Sequence, residues 1–129
     1  MSLSTARRES ARIFMTQVLI CCTFLLVIGS VSAHNDGRVE AGRRLAHDFE
    51  KGNCLACHSA PNDPTAITKA NIGPPLIGMR ERFKDRELLR QQIWDAANRN
   101  PNTIMPPFGR HMILTDDEID LIIDYVHTL

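Results

Sequence analysis

The chain has 129 residues, with 15 basic and 15 acidic side chains and four cysteines. That length permits one domain at most, and the even charge balance excludes the basic patch of a nucleic-acid-binding protein. Aromatic residues are few, with one Trp, one Tyr and five Phe, and a domain of about 100 residues buries only a modest core of its own.

The first twelve residues carry Arg7, Arg8 and Arg12 against Glu9 alone, and Ile13 to Val31 then runs without a charge. Val31-Ser32-Ala33 places small residues where a signal peptidase reads. A basic start, an apolar run and an A-x-A-like site predict a secretory signal over 1–33, released from a domain over 34–129. The apolar run approaches spanning length, so an uncleaved membrane anchor is the rival. The residues after Arg7-Arg8 fit the twin-arginine route poorly. Cys21 and Cys22 lie inside the run, in no convincing lipoprotein cleavage context, and leave with it. Cleavage would leave 12 basic and 14 acidic residues, a net charge of −2. The expected location is the periplasm.

Asp36 to Lys51 reads as a helix, with Val39, Gly42, Leu45, Ala46 and Phe49 at three- and four-residue spacing. Gly42 weakens the helix; it either admits a close helix neighbour or is merely tolerated. His47 reads as a surface residue. Gly52 ends the helix.

Next comes Cys54-Leu55-Ala56-Cys57-His58, a Cys-x-x-Cys-His run and the attachment signature of c-type haem. Two thiols three positions apart can each add to one vinyl group. The following His58 is then held under the iron as a ligand. A zinc ribbon would need a second Cys pair, and none follows; a thioredoxin-like site would need βαβ patterning, and none surrounds the motif. A covalent haem would also supply the apolar bulk that the composition lacks.

Residues 59–72 read as a loop rich in turn formers. Gly73-Pro74-Pro75-Leu76-Ile77-Gly78 must be a stiff extended segment, since two prolines cannot sit inside a helix. A metal-bound histidine usually donates its other ring N–H to a carbonyl. Pro74 offers that carbonyl, and Leu76 an apolar contact for the haem face. Asp85 to Ala97 reads as a second helix with Asp85 as N-cap and Leu89, Ile93, Ala96 and Ala97 on one face. Trp94 is expected in the core.

Thr103 to Gly109 carries Met105 followed by two prolines. A thioether is a soft sixth ligand for a haem iron, so Met105 is the expected distal ligand, against Met79, His111, Met112 and His127 as rivals. Thr115 to Glu118 is a capping box opening a last helix, with Ile119, Ile122, Ile123 and Val126 on one face. That face is expected to pack on the first helix. No strand or repeat is legible, so the expected fold is all-α.

A helix, Cys-x-x-Cys-His, a Gly-Pro-x-Leu loop, a Met loop and a terminal helix together resemble class I cytochrome c over essentially the whole mature chain. The strings GNCLACH, NIGPPL, QQIWDAANRNPNTIMPPFGRHMILTDDEID and DYVHTL are similar to the SoxX family, the small monohaem subunits of thiosulfate-oxidising SoxAX cytochromes. The resemblance implies one haem c held by Cys54, Cys57, His58 and Met105. It implies an electron-relay subunit paired with a larger SoxA-type haem subunit that carries the catalytic haem, so no catalytic residue is expected in this chain. It further implies a sulfur carrier protein, SoxYZ, and a small cytochrome c acceptor as partners. The alternative is a free-standing respiratory electron carrier with the same ligands.

Overall fold

The computed structural model describes residues 35–129, so the expected signal segment over 1–33 and the domain start at 34 lie outside the described residues. A compact unit runs from Gly37 to Leu129. Four α-helices shape it: α1 over 35–47, α2 over Met79–Arg82, α3 over Arg86–Trp94 and α4 over Asp116–Val126. Two 3-10 turns, Cys54–Ala56 and Ala96–Asn98, complete the set. No strand occurs among the described residues.

α4 is the centre of the packing. Ile119, Ile122, Ile123, Tyr125 and Val126 are all buried on it. Thr115 accepts from the Glu118 N–H while Glu118 accepts from the Thr115 N–H, so the capping box is closed. Leu89 and Ile93 of α3 join the same core, along with Leu76, Met79, Phe108 and Leu114 from the loops and from α2. α1 crosses α4 at Gly42. A Cβ there would overlap the carbonyl of Leu121, so the glycine is required by contact between the two backbones and is not merely tolerated.

α1 is shorter than its hydrophobic spacing suggests. It stops at residue 47 because Asp48 folds the chain over. The Asp48 side chain accepts from Glu50 N, and the Gly52 and Asn53 N–H groups donate back to Leu45 and Asp48 carbonyls. Phe49 therefore leaves the apolar face and stands 86% exposed. α3 also ends early. Asp95 takes an extended conformation, and its carboxylate caps the turn at Ala97 and pairs with Arg110 at 3.2 Å. Trp94, at the helix end, consequently misses the core and is 38% exposed.

Polar side chains lace the three longer helices together. Asp124 of α4 meets Arg38 of α1 at 2.7 Å and Arg86 of α3 at 2.6 Å. One turn earlier, Asp120 meets Arg90 at 2.6 Å, and Asp116 meets the same arginine at 3.0 Å. The residues alternate at four-residue spacing on both helices, which puts them on facing stripes.

Candidate functional site

One cavity of about 720 Å³ opens beside the 3-10 turn at Cys54, within the range of cofactor sites. Cys54, Cys57, His58, Pro74, Leu76 and Met105 all line it, so the structure brings every expected site residue to one place. Its remaining wall is largely apolar, with Leu89 and Ile93 from α3, Ile122 and Val126 from α4, and Phe108 from the Met loop.

The turn geometry explains the first group. Asn53 adopts a left-handed φ of 43°, a conformation that Asn tolerates better than most residues. The chain then winds tightly, with the Cys57 and His58 N–H groups both donating to the Cys54 carbonyl. That winding turns both thiols and the imidazole toward the cavity. Gly52 lets the turn sit against α1, since a Cβ there would come within 2.8 Å of the Leu45 carbonyl and 3.2 Å of Cys54 Sγ. Burial pushes the free Cys54 thiol up to about 11. A folded chain would thus hold it protonated and weakly nucleophilic.

The proline segment is tied to this turn by two backbone hydrogen bonds of 2.8 Å, Gly73 N to the Cys57 carbonyl and Leu76 N to the Ser59 carbonyl. The His58 ring lies directly on Gly73, where any Cβ would collide with it. His58 Nδ1 is 2.7 Å from the Pro74 carbonyl. A carbonyl only accepts, so Nδ1 carries a proton, and in the neutral ring Nε2 holds the lone pair that can bind a metal. Leu76 is buried beside it.

Met105 comes from the loop after the second 3-10 turn. Its N–H donates to Thr103 Oγ1 at 3.1 Å, and Gln92 Nε2 of α3 donates to its sulfur at 3.8 Å. Gln92 lines the cavity too. The signal for it was a polar residue three positions after Leu89 and adjacent to Ile93, on the edge of the buried face. The far end of the loop is held by Trp94. Its indole fills the space over Gly109, and its carbonyl accepts from Gly109 N and Arg110 N.

The rival ligands fall elsewhere or are engaged. His111 and Met112 are exposed, Met112 at 89%, and neither lines the cavity. His127 does not line it either; its Nε2 is buried without a hydrogen-bond partner. Burial and the nearby Arg80 and Arg86 hold the His127 pKa below its ordinary value. Met79 does reach the cavity, but its sulfur accepts from Arg82 at 3.1 Å.

Two thiols on one wall, an unprotonated ring nitrogen, a thioether and apolar sides are the donor set and solvent exclusion that an iron porphyrin needs. They fit a covalently attached haem. The cytochrome c family model matches residues 39–129, and the chain belongs to the cytochrome c family. It is an all-α electron-transfer haem protein, and membership implies haem c attached through cysteines. The described residues offer Cys54 and Cys57 for that attachment. The chain is also similar to an uncharacterized lipoprotein of Aquifex aeolicus (strain VF5), with 38% identity over 78 residues. That match covers 60% of this chain and 37% of the relative, so the chain spans little more than a third of the relative's length.

Proposed function

We propose that this chain is the electron-relay subunit of a heterodimeric cytochrome that oxidatively joins thiosulfate to a cysteine of a sulfur carrier protein. In this reading Cys54 and Cys57 would form the two thioethers, and His58 Nε2 and Met105 Sδ would hold the iron. The bound haem supplies one reversible electron-holding site. The chain's own residues do the rest. Pro74 holds the His58 ring in orientation, and Gln92 and Thr103 hold Met105 toward the cavity. Leu76, Leu89, Ile93, Phe108, Ile122 and Val126 exclude water.

Joining a thiosulfate dianion to a thiol forms one S–S bond and releases one proton and two electrons. In this reading the partner subunit would carry that step. The electrons leave singly through this chain toward a small cytochrome acceptor.

The observation that carries the subunit reading is the cavity rim. Ile104 is 77% exposed and Ile72 61% exposed, and both line the cavity together with Ile113, Pro74 and Pro106. The one charged residue on that lining, Lys51, is paired with Glu118 at 2.8 Å. Apolar surface gathered at one mouth, with its charge neutralised, marks a protein-docking face. A free-standing carrier steered by charge would favour a charged ring there.

The test is co-purification from native periplasm of thiosulfate-grown cells through a C-terminal tag, with haem staining. Recovery with a larger haem protein, and thiosulfate-dependent reduction of this haem, are expected. A lone monomer reduced only by respiratory donors would turn the assignment to a free-standing respiratory carrier.

The proposed location is the periplasm, after removal of residues 1–33. The description of the relative as a lipoprotein supports a second reading, a lipid-held domain on the same side of the membrane. No helix among the described residues is long and apolar enough to cross a membrane. Release of the haem protein by osmotic shock without detergent is expected for the first reading.

A further inference from the structure

α3 puts Leu89, Gln92 and Ile93 on the cavity wall, and α4 adds Ile122 and Val126. Gln92 is the one polar side chain among them. An apolar residue would continue the wall, and an amide set among apolar side chains costs free energy unless a partner satisfies it. Its neighbour shows that the direction is specific. Gln91 is exposed and donates to Glu87 at 3.1 Å. Gln92 is partly buried and donates the other way, to the Met105 sulfur at 3.8 Å. A thioether only accepts, so the nitrogen end of the amide faces it.

Both ends of this contact are held. Leu89 and Ile93, on either side of Gln92 along α3, are buried. Arg86 and Arg90 tie the same helix to Asp124 and Asp120 of α4, each at 2.6 Å. On the loop side, the Met105 N–H donates to Thr103 Oγ1 at 3.1 Å.

We propose that Gln92 is a positioning residue for electron transfer, which holds Met105 at the iron and raises the affinity of the site for an electron. This rests on the reading of Met105 as an iron ligand. A thioether sulfur has two lone pairs. With one directed to the iron, the Gln92 N–H takes the other and stops the side chain from turning. The same bond draws electron density off the sulfur. A poorer donor favours the ferrous over the ferric state, so the one-electron couple moves upward.

Met79 supplies the contrast. It lines the same cavity, but its sulfur accepts from Arg82 at 3.1 Å, and Arg82 is anchored on the Pro75 and Ile77 carbonyls. Bonds from a charged donor are about twice as strong as neutral ones, so the Met79 sulfur is the more depleted of the two. The neutral amide of Gln92 restrains Met105 and still leaves it the better donor.

The experiment compares the haem-loaded full-length protein with Gln92→Leu, which keeps the side-chain volume and loses the donor. The readouts are the redox titration, the Met-to-iron charge-transfer band and the rate of cyanide binding to the oxidised form. The variant is expected to keep its covalent haem. Its equilibrium constant for one-electron reduction should fall severalfold, its band should shift, and cyanide should bind severalfold faster. NMR of the reduced parent keeps the test independent of the variant's folding: a Gln92 side-chain N–H slow to exchange with solvent is expected. A potential and band equal to the parent's in Gln92→Leu, even with a lowered thermal midpoint, would reduce Gln92 to packing and overturn the proposal. A Gln92 amide that exchanges as freely as exposed amides do would overturn it too. A parent with no Met-to-iron band would instead overturn the Met105 reading, and the proposal with it.

Discussion

Met105 and His58 are held differently, and this decides how each responds to substitution. His58 is fixed by covalent neighbours, by Gly73 beneath the ring and by the Pro74 carbonyl at 2.7 Å. Met105 is fixed by softer contacts, a backbone bond to Thr103 and a long bond from Gln92 to its sulfur. Met105→Ala should therefore leave haem attached, because the thioethers do not depend on this loop. The Met-to-iron charge-transfer band should vanish, and cyanide or imidazole should bind the open iron. An unchanged band in the variant would show that another side chain is the ligand, and Met79 also lines the cavity. His111 and Met112, six and seven positions beyond Met105, could not be ranked below it by spacing alone. What removes them is the turn after Phe108, where the His111, Met112 and Ile113 N–H groups all donate back to the loop and both side chains end outside.

At the scale of the elements, the α1–α4 crossing depends on the absent side chain at Gly42. A single methyl group there meets the Leu121 carbonyl and the following peptide, and backbone cannot rotate away as a side chain can. Gly42→Ala should gain helix propensity worth about 1 kcal/mol but lose more by overpacking, which typically costs about 1–3 kcal/mol. A lowered thermal midpoint in the haem-loaded variant is the expected result; a raised one would mean the helices slide apart without loss. Much of this level was legible in the sequence. The α4 face follows from apolar residues at i, i+3, i+4 and i+7, and its start from the Thr115–Glu118 pair. Apolar spacing failed where a tight turn or a tertiary partner overruled it. Phe49 continues the α1 spacing, yet Asp48 and Gly52 turn the chain before it. Trp94 has the size of a core residue, but Asp95 is drawn to Arg110 and leaves the indole over Gly109. Arg110 and Gly109 lie outside the 85–97 segment from which that periodicity is read, whereas the turn at Asp48 is local and is hidden only by the apolar spacing that runs through it.

At the scale of the whole domain, α1, α4 and the loop after His58 meet at one buried acid, Asp63, which sets how the fold responds to low pH. Asp63 is separated from His47 by 16 positions and from Tyr125 by 62, so no local pattern announces the cluster. Burial alone would raise the Asp63 pKa. Donation from Thr65 and Tyr125, with the field of His47, outweighs it and holds the carboxyl down to about 2. Its folded value thus lies below the ordinary aspartate value of about 3.9. The unfolded chain binds this proton first as pH falls, so the stabilisation is full above about pH 4 and is lost as pH approaches 2. Asp63→Asn leaves an amide whose N–H₂ must face either the Thr65 donors or the Tyr125 hydroxyl, so one donor set loses its acceptor inside the protein. The variant should be less stable than the parent at neutral pH by about 1–3 kcal/mol, and the gap should close as pH falls toward 2. Denaturant unfolding of both haem-loaded proteins at neutral pH and near pH 2 checks this. A gap that stays constant across that span would mean that the carboxylate charge contributes nothing and that Asp63 acts through shape alone.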